Sequence, residues 1–216
     1  MVNPIKKLLA AKIVWRLSGI SYTTAVIATN RGYLSKECYL LAGNIEMFKF
    51  FHFFDKEKTV LEFGCGPGKN LFGIANIIKT GYGIDVNPNY IKLANKLAER
   101  YNLENLHFLS YDSTNFPADI PTFDVIFEKG VFERLEKVLV ESYIRKLTKR
   151  LNPTGIMILY FLMDRAKGTA FTRRLGDSSY IFWNQNEIEK MLKEIKLNVK
   201  EIIHDQFADF YVCELE

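Results

Sequence analysis

From Thr59 to Gly68 the chain reads Thr-Val-Leu-Glu-Phe-Gly-Cys-Gly-Pro-Gly. Val60, Leu61 and Phe63 predict a short buried strand, and glycines at 64, 66 and 68 then take three Cβ atoms out of a sharp turn. Main chain without Cβ atoms accepts positive φ and can close tightly on a ligand. From Asn70 the run Leu-Phe-Gly-Ile-Ala-Asn-Ile-Ile predicts a helix through Ile78, closed by Gly81. Strand, glycine turn and helix make the first unit of a doubly wound α/β sheet, whose ligands sit beyond the carboxyl ends of the strands. The dinucleotide fingerprint does not fit, because it needs a third glycine three residues after the second and Lys69 stands there. The phosphate loop does not fit either, because Gly68-Lys69 is followed by Asn70.

The following segments repeat the alternation. Gly81 to Asp85 predicts a second strand ending in an acid, 17 residues after Gly68. That spacing suits a carboxylate on ribose hydroxyls in a βαβ unit. Asn87-Pro88 starts a helix with an N-cap and a proline at its first position. Its apolar face is Ile91, Ala94, Leu97, Ala98 and Tyr101. Asn105 to Asp112 predicts a third strand ending in an acid, with His107 packed inside it rather than acting as a base. Phe123 to Leu135 predicts a fourth strand and its turn, carrying Glu128, Glu133 and Arg134. A helix follows over Glu136 to Leu151, with Leu139, Tyr143, Leu147 and Leu151 one turn apart. Asn152 to Gly155 reads as a turn, and Gly155 to Leu162 as a strand buried on both faces. Asn184 with Glu187 predicts a capping box for a helix through Lys196. Val199–Ile203 and Phe207–Leu215 read as a closing pair of strands.

Taken in order, these segments resemble the class I S-adenosylmethionine-dependent methyltransferases. Motif I of that family, an acid followed by Gly-x-Gly-x-Gly, is matched by Glu62-Phe63-Gly64-Cys65-Gly66-Pro67-Gly68. The resemblance implies a Rossmann-like three-layer α/β/α sandwich on a seven-stranded, mostly parallel sheet with an antiparallel last strand. It also implies an N-terminal helical lid over residues 1–50 and a methyltransferase domain over 51–216. The implied cofactor is S-adenosylmethionine, with S-adenosylhomocysteine as product, and no metal is expected. Glu62, Phe63, Gly64, Cys65, Gly66 and Gly68 would form the cofactor turn. Asp85 and Val86 would meet the ribose end, and Asp112 with Ser113 the adenine. The chain departs from the family twice: Glu128 stands where Ser or Asn is frequent, and Arg134 where His is frequent. Glu128 would meet the methionine amino group, take the acceptor's proton, or pair with a cation such as Lys129. A guanidinium does not deprotonate near neutral pH, so Arg134 cannot serve as a base. Glu128 and Glu133 are therefore the candidate catalytic residues, with Tyr33 or Tyr160 as orienting groups.

The chemistry implied needs mainly alignment of the reactants. A base is needed only when the acceptor carries a proton that must leave. At 216 residues the chain suits one domain with a small addition. Its 48% hydrophobic and 25% charged content is that of an ordinary globular protein. Three scattered cysteines, Cys38, Cys65 and Cys213, suggest reduced thiols and a cytoplasmic location. A net charge of +4 is too weak to claim nucleic acid. Residues 4–20 form a basic amphipathic stretch with Lys6, Lys7, Lys12 and Arg16, suited to a peripheral membrane contact or to packing over the cofactor cleft. The aromatic-rich segment from Tyr33 to Phe54 would form the lid and part of the acceptor pocket. Arg165, Lys167, Arg173 and Arg174 make a basic loop, in which Arg173 and Arg174 would hold an anionic acceptor, a phospholipid head group or RNA phosphate, unless the loop is simply solvated. The expected acceptor is a small or lipid-like molecule. RNA or protein is not favoured, since no Asn-Pro-Pro-Tyr-type tetrad follows the fourth strand. A cofactor-binding protein without turnover is the third reading.

Overall fold

The computed structural model describes residues 43–45, 47–111, 115–117, 119–169 and 180–216. The expectations placed on residues 1–42, on Asp112 and Ser113, and on Arg173 and Arg174 lie outside these residues. Seven strands, β1 (Thr59–Phe63), β2 (Thr80–Asp85), β3 (Leu106–Ser110), β4 (Phe123–Glu128), β5 (Leu151–Leu162), β6 (Leu197–His204) and β7 (Ala208–Leu215), form one sheet in the order β3-β2-β1-β4-β5-β7-β6. The α-helices among the described elements are α1 (Lys69–Ile74), α2 (Pro88–Arg100), α3 (Lys137–Thr148) and α4 (Gln185–Ile195). Two compact units result. One holds Cys65–Phe116 with the described residues before Lys58; the other holds Lys58–Gly64 and Pro117–Glu216.

In the first unit β2 and β3 run parallel, with Asp85 opposite Ser110 at their carboxyl ends. Helix α1 stops at Ile74, short of the expected Ile78, and Asn105 shows why. Its Nδ2 donates to the carbonyl of Ala75 at 3.0 Å, taking a terminal carbonyl that a longer helix would keep for itself. Helix α2 follows the sequence closely: the Asn87 side chain accepts from Asn89 N at 3.0 Å, Pro88 opens the helix, and Ile91, Ala94, Leu97 and Ala98 are buried. His107 is exposed rather than packed, with its ring 4.9 Å from that of Tyr82. Strand alternation turns Leu106 and Phe108 inward and leaves His107 on the other face.

In the second unit β1, β4 and β5 are parallel, pairing Phe63 with Glu128 and Glu128 with Leu159. Val60, Leu61, Phe63, Ile126, Leu159 and Phe161 are all but completely buried, as a sheet covered on both faces requires. Burying each such side chain contributes roughly 1.5–3 kcal/mol. Strand β7 runs antiparallel to both neighbours, β5 and β6. Two expectations are corrected here. Helix α3 buries Val140, Ile144 and Leu147, while Leu139 is 45% exposed and Tyr143 only half-buried, its ring 5.1 Å from that of Phe63. Val138, Leu139 and Val140 are consecutive apolar residues, so a shift of one position turns the buried stripe by about 100° without changing the pattern. The predicted turn at Asn152–Gly155 is an irregular stretch within β5: Phe123 pairs with Leu151, and the next partner of β4, Val125, pairs with Ile156. Pro153 has no N–H for the ladder, and Asn152 Nδ2 instead donates to Asp124 Oδ1 at 2.7 Å. Helix α4 carries the full capping box, Glu187 N to Asn184 Oδ1 at 3.0 Å and Asn184 N to Glu187 Oε2 at 3.2 Å. Among the described residues no helix is long and apolar enough to cross a membrane.

Candidate functional site

The glycine turn is built as its residues dictate. Gly64, Gly66 and Gly68 hold φ values of 74°, 53° and 82°, in the left-handed region that strains a residue with a Cβ. In the first unit Cys65 N donates to Ile84 O at 3.1 Å and Gly68 N to Cys65 O at 2.9 Å, tying the turn to the end of β2. Gly66 N donates to Asp85 Oδ2 at 2.9 Å, and Asn87 N to Asp85 Oδ1 at 2.8 Å. Two main-chain donors thus fix the half-buried Asp85 carboxylate, one on each oxygen. Each oxygen retains a further acceptor direction, so a vicinal pair of hydroxyls suits it. Val86, next along, is 53% exposed and offers an apolar surface at the same strand tip. Cys65 is buried with its thiol toward Gly83, where an added Cβ would lie 2.8 Å from Sγ. What Cys65 offers a ligand is main chain.

The second unit carries the other part of the motif. Glu62 and Phe63 are buried at the end of β1, and the Phe63 ring lies 6.0 Å from that of Phe132. A Cβ on Gly64 would fall 2.0 Å from Val131 Cγ2, so this glycine is what allows the turn after β1 to lie against the turn after β4.

That second turn holds both candidate catalytic acids. Glu128, at the last position of β4, is 1% exposed, and its Oε1 accepts from the backbone N–H groups of Val131 and Phe132. Burial outweighs those two bonds, the Glu133 charge adds to it, and the carboxyl is pushed up to about 8. Glu133 lies in the short 3-10 turn Phe132–Arg134. Burial raises its pKa as well, but the charge of Arg134, a hydrogen bond from the Tyr160 hydroxyl and the charge of Lys129 all oppose the rise. Arg134 Nε stands 3.6 Å from Glu133 Oε1, and its guanidinium lies 4.1 Å above the Tyr180 ring. Ile181 N donates to Glu133 O at 2.8 Å, tying the segment that bears Tyr180 and Phe182 to the acid's own main chain. Burial, then the charges of Glu133 and Glu128, raise the Tyr160 phenol, which therefore stays protonated and donates. Around it, Leu162, Ala166 and Tyr180 form a buried cluster on which Tyr160, Phe182 and Phe207 pack while partly exposed.

The structure thus brings Glu133 and Tyr160 together and gives Glu128 a main-chain partner set. Arg165, of the basic loop, is engaged within the fold. Arg165 donates to the carbonyls of Asp205, Gln206 and Ala208 at 2.8, 3.3 and 3.0 Å, and its two terminal nitrogens also bind the Asp209 carboxylate. Asp209, 3% exposed, is held by His204 Nδ1 at 2.9 Å too. Burial raises its pKa, and the Arg165 and His204 bonds more than offset that, leaving it below the usual carboxylate value. Sequence reasoning missed this cluster, in which Arg165 and Asp209 are 44 residues apart. It also missed Tyr180 beneath the Arg134 guanidinium, and Phe182 and Phe207, which pack on the same buried cluster as Tyr160. Among the described residues no group of three or more His, Cys, Asp or Glu side chains is placed to hold a metal.

Residues 54–202 match the family model described as a methyltransferase domain. The chain is similar to the protein-L-isoaspartate O-methyltransferase of Pyrococcus abyssi, 33% identical over 103 residues, which are 47% of this chain and 44% of that protein. The matched region covers only 42% and 22% of two uncharacterized proteins of Rickettsia prowazekii that it also resembles, so the chain spans less than half the length of these curated relatives. Among solved structures it shares the fold of an S-adenosylmethionine-dependent methyltransferase from Clostridium acetobutylicum, with TM-score 0.65, 14% identity, and coverage of 82% of this chain and 92% of that one. It also shares the fold of the magnesium protoporphyrin IX methyltransferase of Synechocystis with bound SAH, with TM-score 0.63, 13% identity and 82% of each chain covered.

Proposed function

This chain belongs to the methyltransferase domain family, and from that premise we propose that it transfers a methyl group from S-adenosylmethionine to a small-molecule or lipid-like acceptor. The observation that carries the cofactor assignment is the Asp85 carboxylate, presented at the tip of β2 by the N–H groups of Gly66 and Asn87. Asp85 would bind the ribose hydroxyls, Val86 would cover one face of the base, and Asp112 with Ser113 would meet the adenine edge. The positive-φ turn at Gly64, Gly66 and Gly68 would let main chain approach the ligand. When bound, S-adenosylmethionine supplies an electrophilic methyl group on positively charged sulfur. The chain's own contribution is to hold and align the partners and to keep water away. Residues 1–50 as a lid belong to the same reading.

The acceptor has to be read from this chain's own residues. By their names, similar proteins act on targets as different as protein L-isoaspartate and magnesium protoporphyrin IX. The partly exposed Tyr160, Phe182 and Phe207 favour an apolar body over a polyanion. Two measurements test the proposal. Calorimetry should detect S-adenosylmethionine binding to the full chain. Asp85→Ala should weaken it by roughly 10- to 100-fold, the loss of hydrogen bonds to a charged group; an unchanged affinity rejects the ribose assignment. Tritiated cofactor incubated with cell extract should leave label in the small-molecule or lipid fraction. Label in RNA or protein instead rejects the acceptor class.

A further inference from the structure

We propose that the methyl acceptor is a neutral molecule with an O–H or N–H nucleophile on a flat apolar body, and that Glu133, held by Tyr160, takes the proton which that nucleophile loses. The proposal rests on the methyltransferase reading above. Its geometry is that of a paired acid beside an aromatic seat. Glu133 projects from the turn after β4 with its side chain 12% exposed, buried but not sealed. Tyr160, near the carboxyl end of β5, donates to it and, like Phe182 and Phe207, packs partly exposed on the buried cluster of Leu162, Ala166 and Tyr180. Gly64, at the start of the cofactor turn, lies against Val131, two residues before Glu133. An acceptor lying against those rings would therefore present its reactive atom to the turn after β4, the turn that Gly64 lies against.

The division of labour between the two acids follows from their company. The groups facing Glu133 are Arg134 and Lys129 from its own segment, Tyr160 from β5, and Glu128 from the end of β4. Tyr160 is faced in addition by Asp205 of the β6–β7 hairpin. Burial raises both carboxyls; at Glu133 two cations and a hydroxyl oppose the rise, whereas at Glu128 only main-chain N–H groups oppose it and the Glu133 charge adds to it. Glu128 therefore keeps a proton near neutrality, and Glu133, whose rise is opposed by more partners, is the better placed of the two to receive one. In the transfer a bond forms between the acceptor O or N and the methyl carbon while the methyl–sulfur bond breaks. The bonding pair goes to sulfur, which becomes a neutral thioether, and the acceptor proton passes to a Glu133 oxygen.

The test uses the full chain, tritiated S-adenosylmethionine and a matched panel of phenols, aromatic alcohols and aromatic amines, with thiols and carbon acids of similar size as contrast. Label should appear on the hydroxyl or amine acceptors. Glu133→Gln should lower kcat by roughly a hundredfold or more, the worth of a positioned base, and remove the acid limb of its pH profile. Glu133→Asp should recover part of the rate. Calorimetric affinity for S-adenosylmethionine should be unaltered in every variant. In carboxyl-carbon NMR, Tyr160→Phe should raise the titration midpoint of Glu133, because a bond that favours its ionised form is lost, and the acid limb of kcat should move to higher pH with it. Glu133→Gln with wild-type rate and profile, or label confined to thiols and carbon acids, overturns the inference while leaving the family activity intact. Cofactor binding with no panel member labelled overturns the acceptor class. Absence of cofactor binding would instead sink the proposed function itself.

Discussion

Glu128 and Glu133 are five positions apart, and burial treats them differently because of what each touches. Glu128 hydrogen-bonds to two main-chain N–H groups, and its pKa rises from 4.5 to about 8. The linkage has a definite sign: a carboxyl whose folded-state pKa is raised binds more protons when native than when unfolded. Its contribution is fully present below 4.5 and lost as pH rises toward about 8. Urea unfolding across that window should show wild-type stability falling, and Glu128→Gln, whose amide oxygen can still accept from Val131 and Phe132, should show a flatter profile. Parallel profiles would reject the assignment. Both acids could be picked from the sequence, since they stand at a strand tip and in the turn after it. Tyr160 could be named only as an alternative to Tyr33; it stands 27 residues beyond Glu133, and the pairing of β4 with β5 is what brings its hydroxyl to that acid.

The turns show how elements depend on single atoms. Gly64→Ala would place a Cβ 2.0 Å from Val131 Cγ2 at a φ of 74°. We expect a cost of about 2–4 kcal/mol in chemical denaturation, from overpacking plus backbone strain. The double variant Gly64→Ala with Val131→Ala should recover the overpacking part and leave the strain of about 1 kcal/mol. The β6–β7 hairpin depends likewise on Arg165, which binds three of its carbonyls and the buried Asp209. Arg165→Ala should cost about 2 kcal/mol, less than a wholly buried pair because the guanidinium is partly exposed. Hydrogen exchange should then be faster at residues 204–209. The glycine turn, the strand ending at Asp85, helix α2 and the capping box of α4 were legible because each rests on short-range rules of turn, cap and period. The buried face of α3 was not, since three consecutive apolar residues fit two rotations equally well. Nor was the Asn152–Gly155 irregularity, which Asp124 fixes by holding Asn152 and, at 2.8 Å, Thr59 N.

For the molecule as a whole, ligand linkage is the broadest test. S-adenosylhomocysteine at about a hundred times its Kd should stabilise the native state by about 2.7 kcal/mol and raise the unfolding midpoint. The same concentration should give Asp85→Ala much less. A seven-stranded, mostly parallel sheet with an antiparallel last strand was implied by the family resemblance, and near-continuous apolar runs marked strands buried on both faces; the strand order came from the structure. Within that sheet β6 is an edge strand, mostly exposed and carrying Lys200 and Glu201, while β7 is flanked on both sides. On a ribosome this order has a cost in time. Strand β7 is the partner that β5 and β6 both need on their facing edges, so those two ladders cannot close until Ala208–Leu215 has cleared the exit tunnel. A nascent chain stalled just before that point would have to wait with its β5 flank uncovered, and that interval is when a chaperone would matter most.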